Sequence, residues 1–84
     1  KKKLRLAKEQ LKTLKNNVAS AEKRIAELEE KIEVQEALMA TPDVYSVPEK
    51  AAAAAREYQL LKDALSDAYT AWEEAAMTLE EAQQ

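Results

Sequence analysis

Glycine, cysteine, histidine and phenylalanine are all missing from this chain, and only two of its residues are proline. Without glycine, no residue takes positive φ freely, which disfavours tight β-hairpin turns, backbone phosphate loops and a compact sheet domain. Without cysteine there is no disulfide or thiolate chemistry, which fits a reducing compartment. With neither histidine nor cysteine, the usual base–nucleophile pairs and metal-ligand clusters are missing. Glu29-Glu30 and Glu73-Glu74 are neighbouring carboxylates, but adjacent helical residues point about 100° apart and belong on solvated faces. No catalytic residue is expected, and no metal. The longest apolar run, Ala51–Ala55, falls far short of the roughly 20 residues that cross a bilayer. No apolar segment follows the basic start, so neither a signal peptide nor a membrane partner is expected.

What is present is Ala, Leu, Glu and Lys, the residues that lose least in a helical backbone. Among the 84 residues, apolar positions recur at alternating spacings of three and four, a heptad seam. One column reads Leu4, Leu11, Val18, Ile25, Ile32, Met39, and its partner reads Ala7, Leu14, Ala21, Leu28, Gln35. Only Gln35 is polar. The rhythm stops at Ala40–Glu49, where Pro42 and Pro48 forbid one continuous helix. Thr41 is placed to cap a short helical turn, and Ser46 with Glu49 has capping-box spacing around Pro48 in a first turn. The seam then resumes as Ala51, Tyr58, Leu65, Trp72, Leu79 beside Ala54, Leu61, Ala68, Ala75, Ala82.

These features predict an all-α fold, a two-helix antiparallel coiled-coil hairpin filling residues 1–84. Helix 1 is expected over about 3–40, the turn over 41–47 and helix 2 over about 48–83. Two registers are open. In one, facing residue numbers sum to 93, setting Ile25 against Ala68, Leu28 against Leu65 and Trp72 against Ala21. In the other they sum to 86, setting Val18 against Ala68 and Trp72 against Leu14. The first suits the volume of Trp72 better; the second has a tighter connection. The chain begins with Lys rather than Met, and a piece of a longer protein is expected.

The net charge of −3 conceals an asymmetry: residues 1–16 carry +6 and residues 17–84 carry −9. Lys1, Lys8 and Lys15 lie seven apart, as do Arg5 and Lys12, making two adjoining basic stripes at one end of helix 1. Together with Lys2 and Lys3 they form a candidate nucleic-acid-binding surface, since such stripes attract phosphates without reading sequence. Lys23 and Arg24 are candidates to extend the track. The plainer alternative is a solvated arm. Tyr69 and Trp72 have the spacing to stack on bases, but Trp72 occupies a seam column and Tyr69 flanks it. A rival reading makes the chain a structural spacer or docking arm, with weak self-association or protein docking through Leu38, Val44, Tyr45 and Val47.

Several motifs go beyond a generic coiled coil. Met39-Ala40-Thr41-Pro42-Asp43-Val44-Tyr45, Pro48-Glu49-Lys50, and Ala68-Tyr69-Thr70-Ala71-Trp72-Glu73-Glu74 resemble the C-terminal domain of ABC-F ATPases of the Uup type. Leu61, Leu65, Lys3-Leu4 and Lys8-Glu9-Gln10 fit the same pattern, whereas Leu6 and Ala75 stand where that family often has Tyr and Leu. Valyl-tRNA synthetase ends in a similar helical hairpin with a Pro-Glu turn but lacks the Tyr-x-x-Trp ending, and ranks second. The first resemblance implies a cytoplasmic ATPase with two nucleotide-binding cassettes upstream, and DNA or ribosomal RNA on the ribosome as partner. The parent's ATPase domains would be a further partner. It also implies that ATP and Mg belong to that parent and that this chain holds no cofactor.

Overall fold

A computed structural model describes residues 8–83. Helix α1 spans Lys8–Met39, the single-turn α2 spans Pro42–Tyr45, and α3 spans Pro48–Gln83. The described residues contain no strand, and the architecture is all-α. The molecule is a rod of 67 × 16 × 13 Å. Residues 3–7 of the expected first helix lie outside the described residues.

The connection is built without a single positive-φ residue among those described, as a glycine-free chain requires. A helix commonly ends on a left-handed glycine; α1 ends by tightening instead. The Ala40 amide is shared between the Glu36 and Ala37 carbonyls at 3.2 Å each, and Thr41 N–H reaches Leu38 O at 3.0 Å. Thr41 is extended, with ψ 141°, the conformation that a following proline imposes. It stands at the N-cap of α2, and its backbone carbonyl accepts from Val44 and Tyr45 at 3.0 Å each. Its hydroxyl, however, donates back to Leu38 O at 2.7 Å, so the side chain closes α1 rather than opening α2.

Ser46 also departs from the capping-box reading. Its backbone is helical, at φ −88° and ψ −5°, whereas an N-cap residue is extended. Its hydroxyl donates to Pro42 O, so Ser46 closes α2. Val47 takes the position before α3, and its carbonyl receives the Ala51 amide at 2.8 Å.

Every described seam residue of both helices is buried or half-buried. The innermost are Ile25, Leu28, Ile32, Ala54 and Ala68, with Leu28 only 1% exposed. Leu28, Ile25 and Ala68 form one cluster, against which Leu61, Ala64, Leu65 and Trp72 pack. Burying a side chain such as Leu28 contributes about 2–3 kcal/mol. The lone polar seam residue, Gln35, is satisfied: its Nε2 donates to Ala54 O at 2.9 Å. Moving along α1 from Glu36 to Glu22 while moving along α3 from Tyr58 to Trp72 keeps the two helices in hydrogen-bonded contact. The helices therefore run in opposite directions. These contacts fit the register in which Ile25 faces Ala68, because the alternative would set Trp72 two turns away at Leu14.

Candidate nucleic-acid interface

Lys8, Lys12 and Lys15 are exposed on the end of α1 furthest from the turn. With Glu9 and Leu11 they line an open hollow of about 600 Å³. Lys1, Lys2, Lys3 and Arg5 lie outside the described residues. No hydrogen bond or ion pair engages Lys8, Lys12 or Lys15 among the described residues, so their ammonium groups face solvent. Such groups bind phosphate oxygens as mobile point charges and carry no base selectivity.

The stripes stop within the first half of α1. At heptad spacing, the column of Lys8 and Lys15 continues as Glu22, Glu29 and Glu36, and the column of Lys12 continues as Ala19, Ala26 and Glu33. Lys23 and Arg24 are exposed but stand on other columns, Lys23 on the face away from α3 and Arg24 at the opposite edge of the seam. The structure does not bring them into line with Lys8 and Lys15.

The carboxylate column has an internal task that sequence reasoning missed. Tyr58 Oη donates to Glu36 Oε2 at 2.9 Å, Tyr69 Oη to Glu29 Oε2 at 2.8 Å, and Trp72 Nε1 to Glu22 Oε2 at 3.1 Å. All three aromatic donors of α3 are thus spent on one edge of α1. The hydrogen bond to Glu29, with lesser help from desolvation and the nearby charge, raises the Tyr69 phenol above its ordinary 10.0. Lys62 Nζ sits 5.5 Å from the centre of the Tyr58 ring, a cation–π distance. The signal was in the sequence: Glu22, Glu29 and Glu36 are seven apart, and Tyr58 and Trp72 share a seam column. Tyr69 is 42% exposed, a flanking position rather than a seam one. Stacking on bases would require Trp72 to leave both Glu22 and the core.

The turn residues divide. Leu38 and Tyr45 are exposed, at 46% and 60%, whereas Val44 and Val47 are half-buried. Of the four docking candidates, only Leu38 and Tyr45 are exposed.

No group of His, Cys, Asp or Glu among the described residues is arranged to hold a metal ion. Among them, no helix is long and apolar enough to cross a membrane.

A lengthwise-packed helical pair with a basic end defines an all-α helical domain. The sequence profile of the ABC transporter C-terminal domain family matches residues 7–77. The chain belongs to that family, which makes it an accessory domain of an ABC protein. A search of curated proteins finds no match, and neither does a search of solved structures.

Proposed function

We propose that this chain is an antiparallel coiled-coil hairpin serving a cytoplasmic ABC-F ATPase of the Uup type as a nucleic-acid-binding accessory domain. DNA or ribosomal RNA is the partner, and the phosphates are met by Lys1, Lys2, Lys3, Arg5, Lys8, Lys12 and Lys15. The observation that carries this reading is the exposed Lys8–Lys12–Lys15 edge, left out of the hydrogen-bonded edge that begins at Glu22. The chain itself performs no catalysis and needs no cofactor; ATP and Mg serve the parent's cassettes. The other 68 residues, at −9, repel phosphates and so confine contact to the basic end.

The test is a titration of the chain against duplex DNA, single-stranded DNA and ribosomes at two salt concentrations. Binding that weakens steeply with salt, and again when the seven basic residues are changed to Gln, supports the reading. Unchanged binding after those substitutions sinks the residue assignment.

A second reading makes the hairpin a spacer or docking arm. The exposure of Leu38 and Tyr45 beside the turn favours it. It predicts no nucleic-acid binding in the same titration.

A further inference from the structure

The columns that begin at Lys8 and Lys12 stand side by side on α1. Together they make one face, every residue of it exposed, at alternating spacings of four and three from Lys8 to Glu36. It looks out from the flank of the hairpin, roughly 100° around α1 from the buried seam. Its charges are sorted along the helix. Lys8, Lys12 and Lys15 take the end far from the turn, and Glu29, Glu33 and Glu36 the end near it, with Ala19, Glu22 and Ala26 between. Glu22, Glu29 and Glu36 accept their aromatic donors through Oε2. A neutral donor leaves the carboxylate its charge and further acceptor sites.

A two-fold axis crossing α1 at Glu22 reverses this face onto itself, α1 on α1. Lys15 then comes level with Glu29 of the copy, Lys12 with Glu33 and Lys8 with Glu36, each to within about 1.5 Å along the helix. By symmetry each match occurs twice. Ala19 comes level with Ala26, so no bulky side chain holds the backbones apart there. On this face only Glu22 meets its own counterpart. The same axis lays α3 on α3. In the register that sets Ile25 opposite Ala68 it crosses α3 near position 71, where Lys62 comes level with Glu80 of the copy and Tyr69 with Glu73. All four are exposed, and Tyr69 marks the flank by reaching Glu29. A parallel two-fold would lay α1 on α3 instead, with Lys8 beside Gln83 and Glu36 between Ala55 and Gln59, neither charge met. A wholly basic or wholly acidic partner would match one half of the face and be repelled by the other.

We propose that the chain pairs with a second copy of itself through this flank, antiparallel about a two-fold axis at Glu22. A two-fold interface must be self-complementary. A face charged oppositely at its two ends meets that condition when it is reversed onto itself. Pairing covers Lys8, Lys12 and Lys15, so the dimer withholds those ammonium groups from phosphates. That consequence rests on the nucleic-acid reading; the pairing itself does not.

The test is sedimentation equilibrium of the chain alone from about 1 μM to about 1 mM, a range that spans weak to moderate association. The expected mass rises from monomer to dimer and no further, and less steeply at high salt. Lys12→Glu and Glu33→Lys should each weaken the dimer about fivefold or more, since each reverses two matches. Lys12→Glu with Glu33→Lys in one chain should restore it, and so should mixing the two single variants. Within one chain those residues stand roughly 32 Å apart along α1, so the rescue reads contact between copies, and a parallel pair would not show it. Glu22→Gln should tighten the dimer by removing the like charges at its axis. Circular dichroism checks that each variant stays helical. A monomeric mass throughout overturns the proposal. So does a dimer indifferent to the two charge reversals, or one that the double variant does not rescue. No nucleic acid is present in the series, so failure of the pairing and failure of the nucleic-acid reading are told apart.

Discussion

The indole N–H of Trp72 donates to Oε2 of Glu22 across 3.1 Å, joining residues fifty positions apart in the chain. The ring is half-buried in the seam while its nitrogen reaches the rim, so packing and hydrogen bonding are separable. Trp72→Phe keeps most of the packing and should cost about 0.5–1.5 kcal/mol. Trp72→Ala should cost about 3–5 kcal/mol. Thermal melts followed by circular dichroism would show two distinct steps; equal losses would mean the hydrogen bond is the whole contribution.

Register is open to direct chemical trapping, because the chain has no cysteine of its own. Ile25→Cys with Ala68→Cys should oxidise readily to an intramolecular disulfide. Val18→Cys with Ala68→Cys should not, since it would need the helices to slide by a heptad. Gln35→Leu, which removes the donor to Ala54 O, should leave stability equal or higher. It should also lower the selectivity between the two disulfides, because a buried polar residue specifies alignment at a cost in stability.

Tyr69 gives a pH signature at the alkaline end. Its phenol is raised above 10.0 when folded, first by the hydrogen bond to Glu29. The unfolded chain therefore loses that proton first as pH rises. The contribution to stability is complete below the unfolded value and is lost as pH climbs through the folded one. Tyr69→Phe should flatten the fall in melting temperature above pH 10, the ordinary phenol value. In Glu29→Gln, the Tyr69 titration followed by NMR should move down towards that value. An unmoved titration would remove Glu29 as the cause.

At the connection, two hydroxyls fasten two helix ends: Thr41 to Leu38 O and Ser46 to Pro42 O. Thr41→Ala and Ser46→Ala should each cost about 0.5–1.5 kcal/mol. Because the two bonds close different helices, their effects should add. Hydrogen exchange should report the loss at the α1 end for Thr41 and around α2 for Ser46.

For the basic edge, Lys8, Lys12 and Lys15 changed together to Gln should reduce the log–log salt slope of duplex binding by up to about 3. Lys23→Gln with Arg24→Gln should leave it within error. A slope that falls equally in both variants would relocate the contact along the whole of α1.

The seam was legible because heptad spacing is a strong periodic signal: every described residue in the four columns is shielded from solvent. The Pro42 and Pro48 interruptions marked both helix boundaries for the same reason, that proline admits few backbone conformations. Less legible were the hydroxyl partners of Thr41 and Ser46, since an N-cap and a C-cap differ only in which side of the residue turns helical. The Tyr–Glu and Trp–Glu pairs were hidden because they join positions from 22 to 50 residues apart. Only a fixed register brings such partners together. Val44 and Val47 looked as open as Tyr45 in sequence, but a one-turn helix folds both partly inward.

The column Lys8, Lys15, Glu22, Glu29, Glu36 has a further consequence. Trp72 acts as a boundary marker: turnward of it, the edge of α1 is committed to holding its own return strand of helix, and beyond it the same edge is left free for visitors. Moving that marker one heptad along α3, with Trp72→Leu and Leu79→Trp, would place an indole beside Lys15, an ammonium group that has no acceptor to offer it. The reach of the cationic surface is therefore set on α1 itself, where the column changes from Lys15 to Glu22, and the last aromatic donor of α3 stands level with that change.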